Sequence, residues 1–266
     1  MTRRGHGLGE MGRSPDALSL APRQTRARVA RREPMKIDDT TDRGTEHLRG
    51  EQQANGRDPY DDLYDADKAA AELRSYRTKG LTPWAKVLTD RLKADGVTGA
   101  SVLDIGGGIG SIHHELLEAG AASAVGIDAS SAYVAAARDE SVRRGHGDRV
   151  TYRQGDFLEL AQSVSPADIV ILERVLNVSH EWEHLAALAA HRTRRRLGVV
   201  IPRDTLFVRA VIGVINSSLR RRGKHVRAAV VPLDALDRIA ATHGLHRRSA
   251  DNCGPAWQAV TYARDA

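Results

Sequence analysis

Glycines and acidic residues recur where three apolar runs of the sequence end, and their types suit a small ligand that carries charges of both signs. The first run leads into Asp104-x-Gly106-x-Gly108-x-Gly110. Glycines at this spacing permit a turn with positive φ and let a ligand approach the backbone. The carboxylate before them attracts an ammonium group, and the N–H groups at the start of the next helix suit a carboxylate. An amino acid moiety carries both of these charges.

The spacing of the turn excludes two other nucleotide ligands. A triphosphate-binding loop ends in Gly-Lys-Ser/Thr, and no lysine lies between Lys93 and Lys224. The dinucleotide pattern Gly-x-Gly-x-x-Gly fails in either register, because Ser111 or Ile109 stands where a glycine is required. S-adenosylmethionine, whose methionine part carries an ammonium and a carboxylate, fits the turn better. A tight turn that binds no ligand remains the alternative.

Two more acids follow the next two apolar runs. Asp128 lies eighteen residues after Gly110, where a carboxylate accepts the protons of a ribose diol. Its alternative role is to cap the next helix, a role that Ser130 can also fill. Asp156 can accept a hydrogen bond from an adenine amino group, and Phe157 can cover the adenine ring or belong to the core. Three acids at three successive strand ends favour a nucleoside-binding site.

A site of this kind requires strands that end at one edge of a sheet. Apolar, β-branched runs predict strands at 101–105, 123–128, 149–154, 167–173, 197–202, 245–250 and 256–263. Helical spacing predicts a helix that begins at about 61, a second from 83 to about 96, and others at 110–119, 130–143, 157–163, 180–195, 204–222 and 233–243. Strands that alternate with helices are typical of an α/β fold with a doubly wound parallel sheet.

The formal net charge of +6 is unevenly distributed along the chain. Residues 1–34 carry 8 basic and 3 acidic residues, or +5; residues 35–190 carry 17 and 26, or −9; residues 191–266 carry 15 and 5, or +10. The basic clusters are compatible with an anionic partner at one place. Aromatic residues make up only 4% of the chain and do not interleave the basic runs, which argues against a nucleic acid partner.

Composition also predicts the domain organisation and the compartment. Residues 1–60 show no sustained hydrophobic period, so we expect a disordered basic and polar extension before a domain at 61–266. Residues 1–34 are expected to be dispensable. Cys253 is the single cysteine, which excludes a disulfide within the chain, and no apolar run is long enough to span a bilayer. We expect a soluble cytoplasmic protein.

From about residue 70 to its C-terminus, the chain resembles the class I S-adenosylmethionine-dependent methyltransferases. The glycine turn and the three acids carry this resemblance. The segments Asp168-Ile-Val-Ile-Leu-Glu-Arg-Val175, Pro202-Arg203 and Trp257-Gln-Ala-Val-Thr-Tyr262 are similar to those of magnesium-protoporphyrin IX O-methyltransferases. The resemblance implies a Rossmann-like, mostly parallel seven-stranded sheet whose last two strands form an antiparallel hairpin. It also implies cofactor contacts from Asp104, Gly106, Gly107, Gly108, Gly110, Asp128, Ala129, Asp156, Phe157 and Glu173.

Catalytic candidates follow from the same resemblance, because the segment after the fourth strand faces the transferred methyl group in that fold. Glu173, Asn177 and His180 lie there, and Glu173 and His180 are the candidate bases. A solvated position in the first helical turn is the alternative for His180. His113 and His114 are expected to be surface or core residues of the next helix. They lack a third ligand at a suitable spacing, so we expect no metal site.

The C-terminal third offers candidates for acceptor binding. Apolar side chains of the helix at 204–222 can belong to the core, line a substrate channel or make peripheral membrane contact. Arg203, at a strand end, is placed to bind an acidic acceptor.

We predict an S-adenosylmethionine-dependent methyltransferase for a small, largely apolar acceptor with a carboxylate or a hydroxyl, with O-methylation favoured and a tetrapyrrole-like acceptor as one candidate. Two alternatives stay open: an RNA methyltransferase that uses the basic C-terminal third, and a non-catalytic cofactor-binding protein. The second is supported by the absence of the Tyr-Pro-Asp segment of the tetrapyrrole group.

Overall fold

The computed structural model describes residues 64–223 and 226–265, so the predicted extension at 1–60 and the domain boundary at 61 lie outside the described residues. In this part of the chain seven strands form one sheet: β1 Ser101–Ile105, β2 Ser123–Asp128, β3 Val150–Gln154, β4 Ala167–Glu173, β5 Thr193–Pro202, β6 Leu245–Asn252 and β7 Trp257–Arg264. Their order across the sheet is β3-β2-β1-β4-β5-β7-β6. The first five are mutually parallel, and β7 is antiparallel to both β5 and β6. The predicted fold class is confirmed.

Eight helices accompany the strands in the described residues: α1 Ala66–Lys79, α2 Pro83–Ala94, α3 Ser111–Glu118, α4 Ser131–Arg143, α5 Phe157–Leu160, α6 Trp182–Arg192, α7 Leu206–Arg221 and α8 Leu233–Thr242. The sequence places each of them within a few residues of its observed bounds. Among the strands, the largest difference is at β5, which begins at Thr193 and not at 197. Arg196 is buried there because its guanidinium donates hydrogen bonds to the carbonyls of Leu92, at 2.8 Å, and Gly96. A hydrophobic pattern cannot reveal a strand that buries an arginine in this way.

Alternate residues of the central strands point into two separate hydrophobic layers. In β4, Val170 and Leu172 pack against α6 and α8, whereas Ile169 and Ile171 pack on the opposite face against α2 and α3. All four side chains are fully buried. A sheet covered on both faces leaves only its edges and the ends of its strands open to a ligand. The strand order reverses direction between β1 and β4, and in such sheets ligands bind at the carboxyl ends of the strands beside that point.

Helix α1 is fixed beside this edge by polar contacts. Ser130, just after β2, donates a hydrogen bond from its hydroxyl to the carbonyl of Tyr64, at 2.6 Å. Arg77 on α1 forms a 2.8 Å ion pair with Glu140 on α4. Burial raises the pKa of Glu140, but hydrogen bonds from Arg143, Arg144 and Arg77 outweigh it and lower that pKa to about 2. Within the described residues, no helix is both long and apolar enough to cross a membrane.

Candidate active site

A cavity of about 480 Å³ lies at the carboxyl ends of β1 to β4 and is also lined by side chains of α1. Eight of the predicted site residues line it: Gly106, Gly107, Gly108, Asp128, Ala129, Asp156, Phe157 and Glu173. They come from four separate segments of the chain, and the parallel sheet brings them to one place. Asp104, Gly110 and His180 do not line the cavity.

The turn after β1 presents bare backbone to the cavity because side chains do not fit there. Gly106 has a φ of +61°, and a Cβ at this position would lie 2.5 Å from Cγ2 of Val175. A Cβ on Gly107 would lie 2.9 Å from the carboxyl carbon of Asp104. The N–H of Gly106 donates to the carbonyl of Ile127 at 2.7 Å, which fixes the turn against β2. A side chain at Gly106 would therefore clash with Val175 on the cavity wall and one at Gly107 with Asp104, so glycine keeps the backbone of the turn accessible to a ligand.

Asp128 combines a structural role with a position on the cavity wall. Its Oδ2 accepts a hydrogen bond from the N–H of Gly108 and its Oδ1 accepts one from the N–H of Ser130, each at 2.9 Å. Burial raises the pKa of Asp128 to about 6, although these two backbone donors act in the opposite direction. Ser130 caps α4 through its own hydroxyl, which accepts from the N–H of Tyr133. The carboxylate therefore braces the glycine turn and is not needed as the cap of α4.

Asp156 and Phe157 form the wall at the end of β3. Asp156 caps the short helix α5, because its Oδ1 accepts a hydrogen bond from the N–H of Leu158 at 2.9 Å. Phe157 is 4% exposed and packs in the core layer that contains Leu103 and Ile105. Both residues also line the cavity. Phe157 thus belongs to the core and also lines the cavity, so the core alternative does not exclude a position beside a ligand.

Glu173 and Arg174 place a carboxylate and a guanidinium at the end of β4. The indole N–H of Trp84 donates to Oε1 of Glu173 at 2.7 Å. Burial raises the pKa of Glu173, while Arg174 and the bond from Trp84 lower it in part. The group is therefore closer to taking up a proton than an exposed glutamate is.

The backbone and side chain of Arg174 are both unusual. Its φ is +59°, in the left-handed region that costs a residue with a side chain about 1–2 kcal/mol. The guanidinium lies 5.3 Å from the ring centre of Trp84 and 5.8 Å from that of Trp257, within cation–π range. Its Nε is buried, lies 3.5 Å from Oε1 of Glu173 and has no hydrogen-bond partner among the described residues. The two indole rings lie 5.7 Å apart, so the guanidinium lies over both of them from one side. An arginine with a positive φ that packs on two indoles at a cavity wall is a candidate ligand-binding group.

The position of Asp104 corrects one prediction. Its carboxylate lies below the glycine turn, 2.8 Å from Nδ1 of His113, and the residue is 2% exposed. Nε2 of His113 in turn lies 3.0 Å from the hydroxyl of Tyr152. A Cβ on Gly110 would lie 2.5 Å from the His113 ring, so Gly110 also serves this packing and not the cavity wall. Asp104 therefore supports the turn from beneath and does not line the cavity.

Two further predicted roles do not agree with the structure. His180 is exposed and lies outside the cavity wall, which does not support a role as catalytic base and agrees with the solvated alternative. Arg203 donates to the carbonyl of Gly254 at 3.2 Å and also lies outside the wall, so Arg174 takes its place as the arginine that faces the cavity. Asn177 does line the cavity, is 6% exposed, and its Oδ1 has no hydrogen-bond partner in the described part of the chain.

The apolar helix α7 is neither core nor channel. Of its side chains only Val208 is buried, and none lines the cavity. His113 and His114, by contrast, are buried as core residues of α3. Burial lowers the pKa of His114 to about 2, and the neighbouring histidines add to this effect. Within the described residues no group of three or more His, Cys, Asp or Glu side chains is arranged to hold a metal ion.

Several wall residues were not predicted from the sequence. Tyr64, Lys68, Glu72 and Tyr76 come from α1 and the residue pair before it, and Trp84 and Trp257 come from α2 and β7. A weak signal existed for Trp257, which belongs to a segment that carries the family resemblance. No local pattern marks the α1 residues, because their place on the wall depends on long-range contacts such as that between Arg77 and Glu140.

Comparison with known proteins agrees with this geometry. Residues 102–196 match a family model described as a methyltransferase domain. None of the curated proteins matches the sequence. Among solved structures, magnesium protoporphyrin IX methyltransferase from Synechocystis PCC 6803 with bound S-adenosylhomocysteine is similar, with 21% identity, 83% of this chain and 100% of that chain covered, and a TM-score of 0.57.

Two other solved structures are similar over much of the chain. An O-methyltransferase family protein from Burkholderia thailandensis has 18% identity, with 77% of this chain and 61% of that chain covered and a TM-score of 0.60. Mitomycin 7-O-methyltransferase has 21% identity, with 83% and 66% covered and a TM-score of 0.58. These likenesses show the fold, and the family model covers residues 102–196 of the 266. Residues 102–196 are therefore similar to a methyltransferase domain, and the chain has the Rossmann-like fold seen in these methyltransferase structures.

Proposed function

We propose that this protein transfers a methyl group from S-adenosylmethionine to an oxygen of a small, largely apolar acceptor that carries a carboxylate or a hydroxyl. The observation that carries the proposal is the Glu173–Arg174 pair on the same cavity wall as the glycine turn, where Glu173 accepts a hydrogen bond from Trp84 and Arg174 packs on Trp84 and Trp257. In this pair, Arg174 can bind an anionic acceptor, and Glu173 can take the proton from an acceptor that must lose one.

The other end of the cavity fits the cofactor. The glycine turn offers backbone that only glycine can supply at Gly106, and Asp128 offers acceptor positions for ribose hydroxyls. Asp156 and Phe157 lie where an amino group and an aromatic ring can bind. When bound, S-adenosylmethionine supplies an electrophilic methyl group on a cationic sulfur. The carboxylates of Asp128 and Glu173 on the wall favour a ligand with that positive charge.

Arg174 supports a carboxylate acceptor. A guanidinium presents a planar set of donors that matches both oxygens of a carboxylate. Stacking against Trp84 and Trp257 limits the motion of this side chain and leaves an apolar surface beside it for the body of the acceptor. Asn177, whose Oδ1 has no partner in the described residues, adds a polar atom on the same wall. Positioning of the two reactants accounts for much of the rate that such a site provides.

Glu173 decides between the two acceptor groups. A carboxylate reaches the site already deprotonated and needs no base, whereas a hydroxyl must lose a proton as its oxygen is methylated. The pKa of Glu173 is raised by burial, which makes it a better base for a hydroxyl than an exposed glutamate. No histidine lines the cavity within the part of the chain that the structure describes, so Glu173 is the base that we propose there.

A panel of acceptors tests the proposal. The full chain is incubated with isotopically labelled S-adenosylmethionine and with aromatic and tetrapyrrole carboxylic acids, their methyl esters, phenols and total RNA. Mass spectrometry then identifies any product heavier by one methylene group. We expect methylation of an acid or a phenol. Cofactor binding without any product would support the non-catalytic alternative, and methylated RNA would support the nucleic acid alternative.

Two variants then separate the acceptor classes. For a carboxylate, Arg174→Gln raises KM by about ten- to a hundredfold, the value of a hydrogen bond to a charged group, and Glu173→Gln leaves kcat nearly unchanged. For a hydroxyl, Glu173→Gln lowers kcat by about a hundredfold or more. If neither variant changes either constant, neither side chain contacts the acceptor. Exposed His180, replaced by glutamine, is the control and should have no effect.

A further inference from the structure

The exposed apolar side chains of the described residues are concentrated on one helix. Six large hydrophobic residues are exposed, and five of them belong to α7: Leu206, Phe207, Val211, Val214 and Ile215. Four of these lie at i, i+4, i+7 and i+8 and so form one continuous stripe on the helix. Phe207 is 62% exposed and Val214 is 72% exposed. An apolar stripe of this kind that is exposed to water marks an interaction site.

The charge on the same helix is of one sign. Residues 205–222 contain four arginines and neither aspartate nor glutamate. Arg209 pairs with Asp204, just before the helix, at 2.6 Å. Arg220 and Arg221 lie in the last turn and are exposed. In a contact between two copies of the chain, the second helix would add more arginines, and its nearby acid would again be only Asp204. An anionic surface, in contrast, offsets the positive charge of the helix.

The helix is linked to the cavity wall through hydrogen bonds. It follows β5, so it begins at the edge of the sheet where the cavity opens. The side-chain amide of Asn216 donates to the carbonyl of Ala228 and accepts from its N–H, each at 2.8 Å. The next residue, Ala229, donates from its N–H to the carbonyl of Asn177 at 2.7 Å, and Asn177 lines the cavity. A surface that binds the stripe therefore lies beside the cavity.

We propose that α7 is an interfacial helix that docks the protein on an anionic lipid surface. An interfacial helix combines an apolar face with Phe and Leu and a polar face with basic residues, and it lies in the plane of the headgroups without crossing the bilayer. Helix α7 has an apolar stripe and basic residues, and the positive charge of its arginines is complementary to anionic headgroups. Docking here presents the cavity to molecules dissolved in the lipid.

Vesicle sedimentation tests this proposal on the full chain. The probes are vesicles of phosphatidylcholine alone and vesicles that contain phosphatidylglycerol as well. We expect binding to the anionic vesicles, weakened by added salt. Because residues 1–34 also carry a net charge of +5, the decisive comparison is between the wild type and α7 variants with the same N-terminus.

Two double variants and one control separate the apolar contribution to vesicle binding from the contribution of positive charge. Phe207→Asp with Val214→Asp lowers the partition coefficient by at least about a hundredfold, since each buried apolar side chain contributes about tenfold or more. Arg220→Gln with Arg221→Gln lowers it by about 25-fold on anionic vesicles, at about fivefold per basic residue, and leaves neutral vesicles unaffected. Val142→Asp is the matched control, because Val142 on α4 is 75% exposed and distant in sequence from the stripe, and it should change nothing.

Three results overturn the proposal. The first is equal binding of the wild type to neutral and anionic vesicles. The second is unchanged binding of the Phe207→Asp, Val214→Asp variant. The third is a wild type that sediments as a dimer without lipid while this variant is monomeric, which would assign the stripe to a contact between copies. Circular dichroism and binding of S-adenosylhomocysteine confirm in each case that the variants are folded, since α7 does not line the cavity.

Discussion

Replacing Asp128 by alanine distinguishes ligand binding from support of the fold. In the structure the carboxylate accepts two backbone hydrogen bonds, from Gly108 and Ser130, and lines the cavity where we expect a ribose. Asp128→Ala removes the acceptor for the ribose hydroxyls. We expect the affinity for S-adenosylhomocysteine, which binds without reacting, to fall by about ten- to a hundredfold, equivalent to about 1.5–3 kcal/mol.

We expect the fold to tolerate Asp128→Ala, because the raised pKa of Asp128 indicates that its negative charge is costly in the folded protein. Burial raises that pKa from 3.8 to about 6, so ionising the carboxyl costs about 3 kcal/mol more in the folded protein than in the unfolded chain. This raised pKa stabilises the fold below about pH 4, and the stabilisation is lost as the pH rises through about 6. Above that pH, alanine loses two hydrogen bonds but also removes a buried charge. We expect the melting temperature to change by no more than about 2–4 °C.

The same pKa predicts how binding depends on pH. Ribose hydroxyls donate to the ionised carboxylate, so the wild-type dissociation constant should rise by up to about tenfold per pH unit below pH 6. Asp128→Ala should lack this dependence. Titration calorimetry between about pH 5 and pH 8 measures both effects. Exposed Asp148, replaced by alanine, is the control and should behave as the wild type.

Two results would refute the assignment of Asp128 to the ribose. One is a variant that melts far lower yet binds S-adenosylhomocysteine normally in the cold, which would make Asp128 a structural residue alone. The other is a wild-type affinity that does not change between about pH 5 and pH 8, since ionisation of Asp128 would then not matter to the ligand.

Three further predictions concern the turn, the cofactor and the N-terminus. Gly106→Ala should weaken S-adenosylhomocysteine binding by at least about tenfold in calorimetry, because its Cβ would lie 2.5 Å from Val175 and must displace that side chain; normal affinity would show that the turn adapts. NAD should give no heat of binding at micromolar strength, and a signal for NAD without one for S-adenosylmethionine would contradict the reading of the turn. A chain that begins at Met35 should keep the activity and melting temperature of the full chain, and a loss of several degrees would show that residues 1–34 contribute.

The sequence predicted the sheet and the edge where its candidates meet, because both depend on local patterns. Apolar, β-branched runs specify strands, and a parallel sheet brings the residues after each strand to one edge. Gly106, Asp128, Asp156 and Glu173 therefore lie on one cavity wall as expected. These positions follow from the backbone alone.

Side-chain direction does not follow from the same patterns. Asp104 lies one residue before the end of β1, and a strand turns successive side chains to opposite faces. Its carboxylate therefore points below the turn, where His113 can reach it from the first turn of α3. A direct contact between a carboxylate and a ligand's ammonium group requires a residue that faces the cavity.

The acceptor end of the cavity could not be found locally, because its groups depend on contacts between distant segments. Trp84 donates to Glu173 across 89 residues of sequence, and Trp257 comes from the antiparallel strand β7. Arg174, which packs on the two indoles, has a positive φ, a conformation that sequence patterns predict for glycine and not for arginine. In the sequence, the run Glu173-Arg174-Val175 looks like an ordinary strand end. Its chemical environment depends on distant residues that the fold places beside it. This is why Arg203, the arginine that a strand end alone would favour, bonds Gly254, while Arg174 faces the cavity.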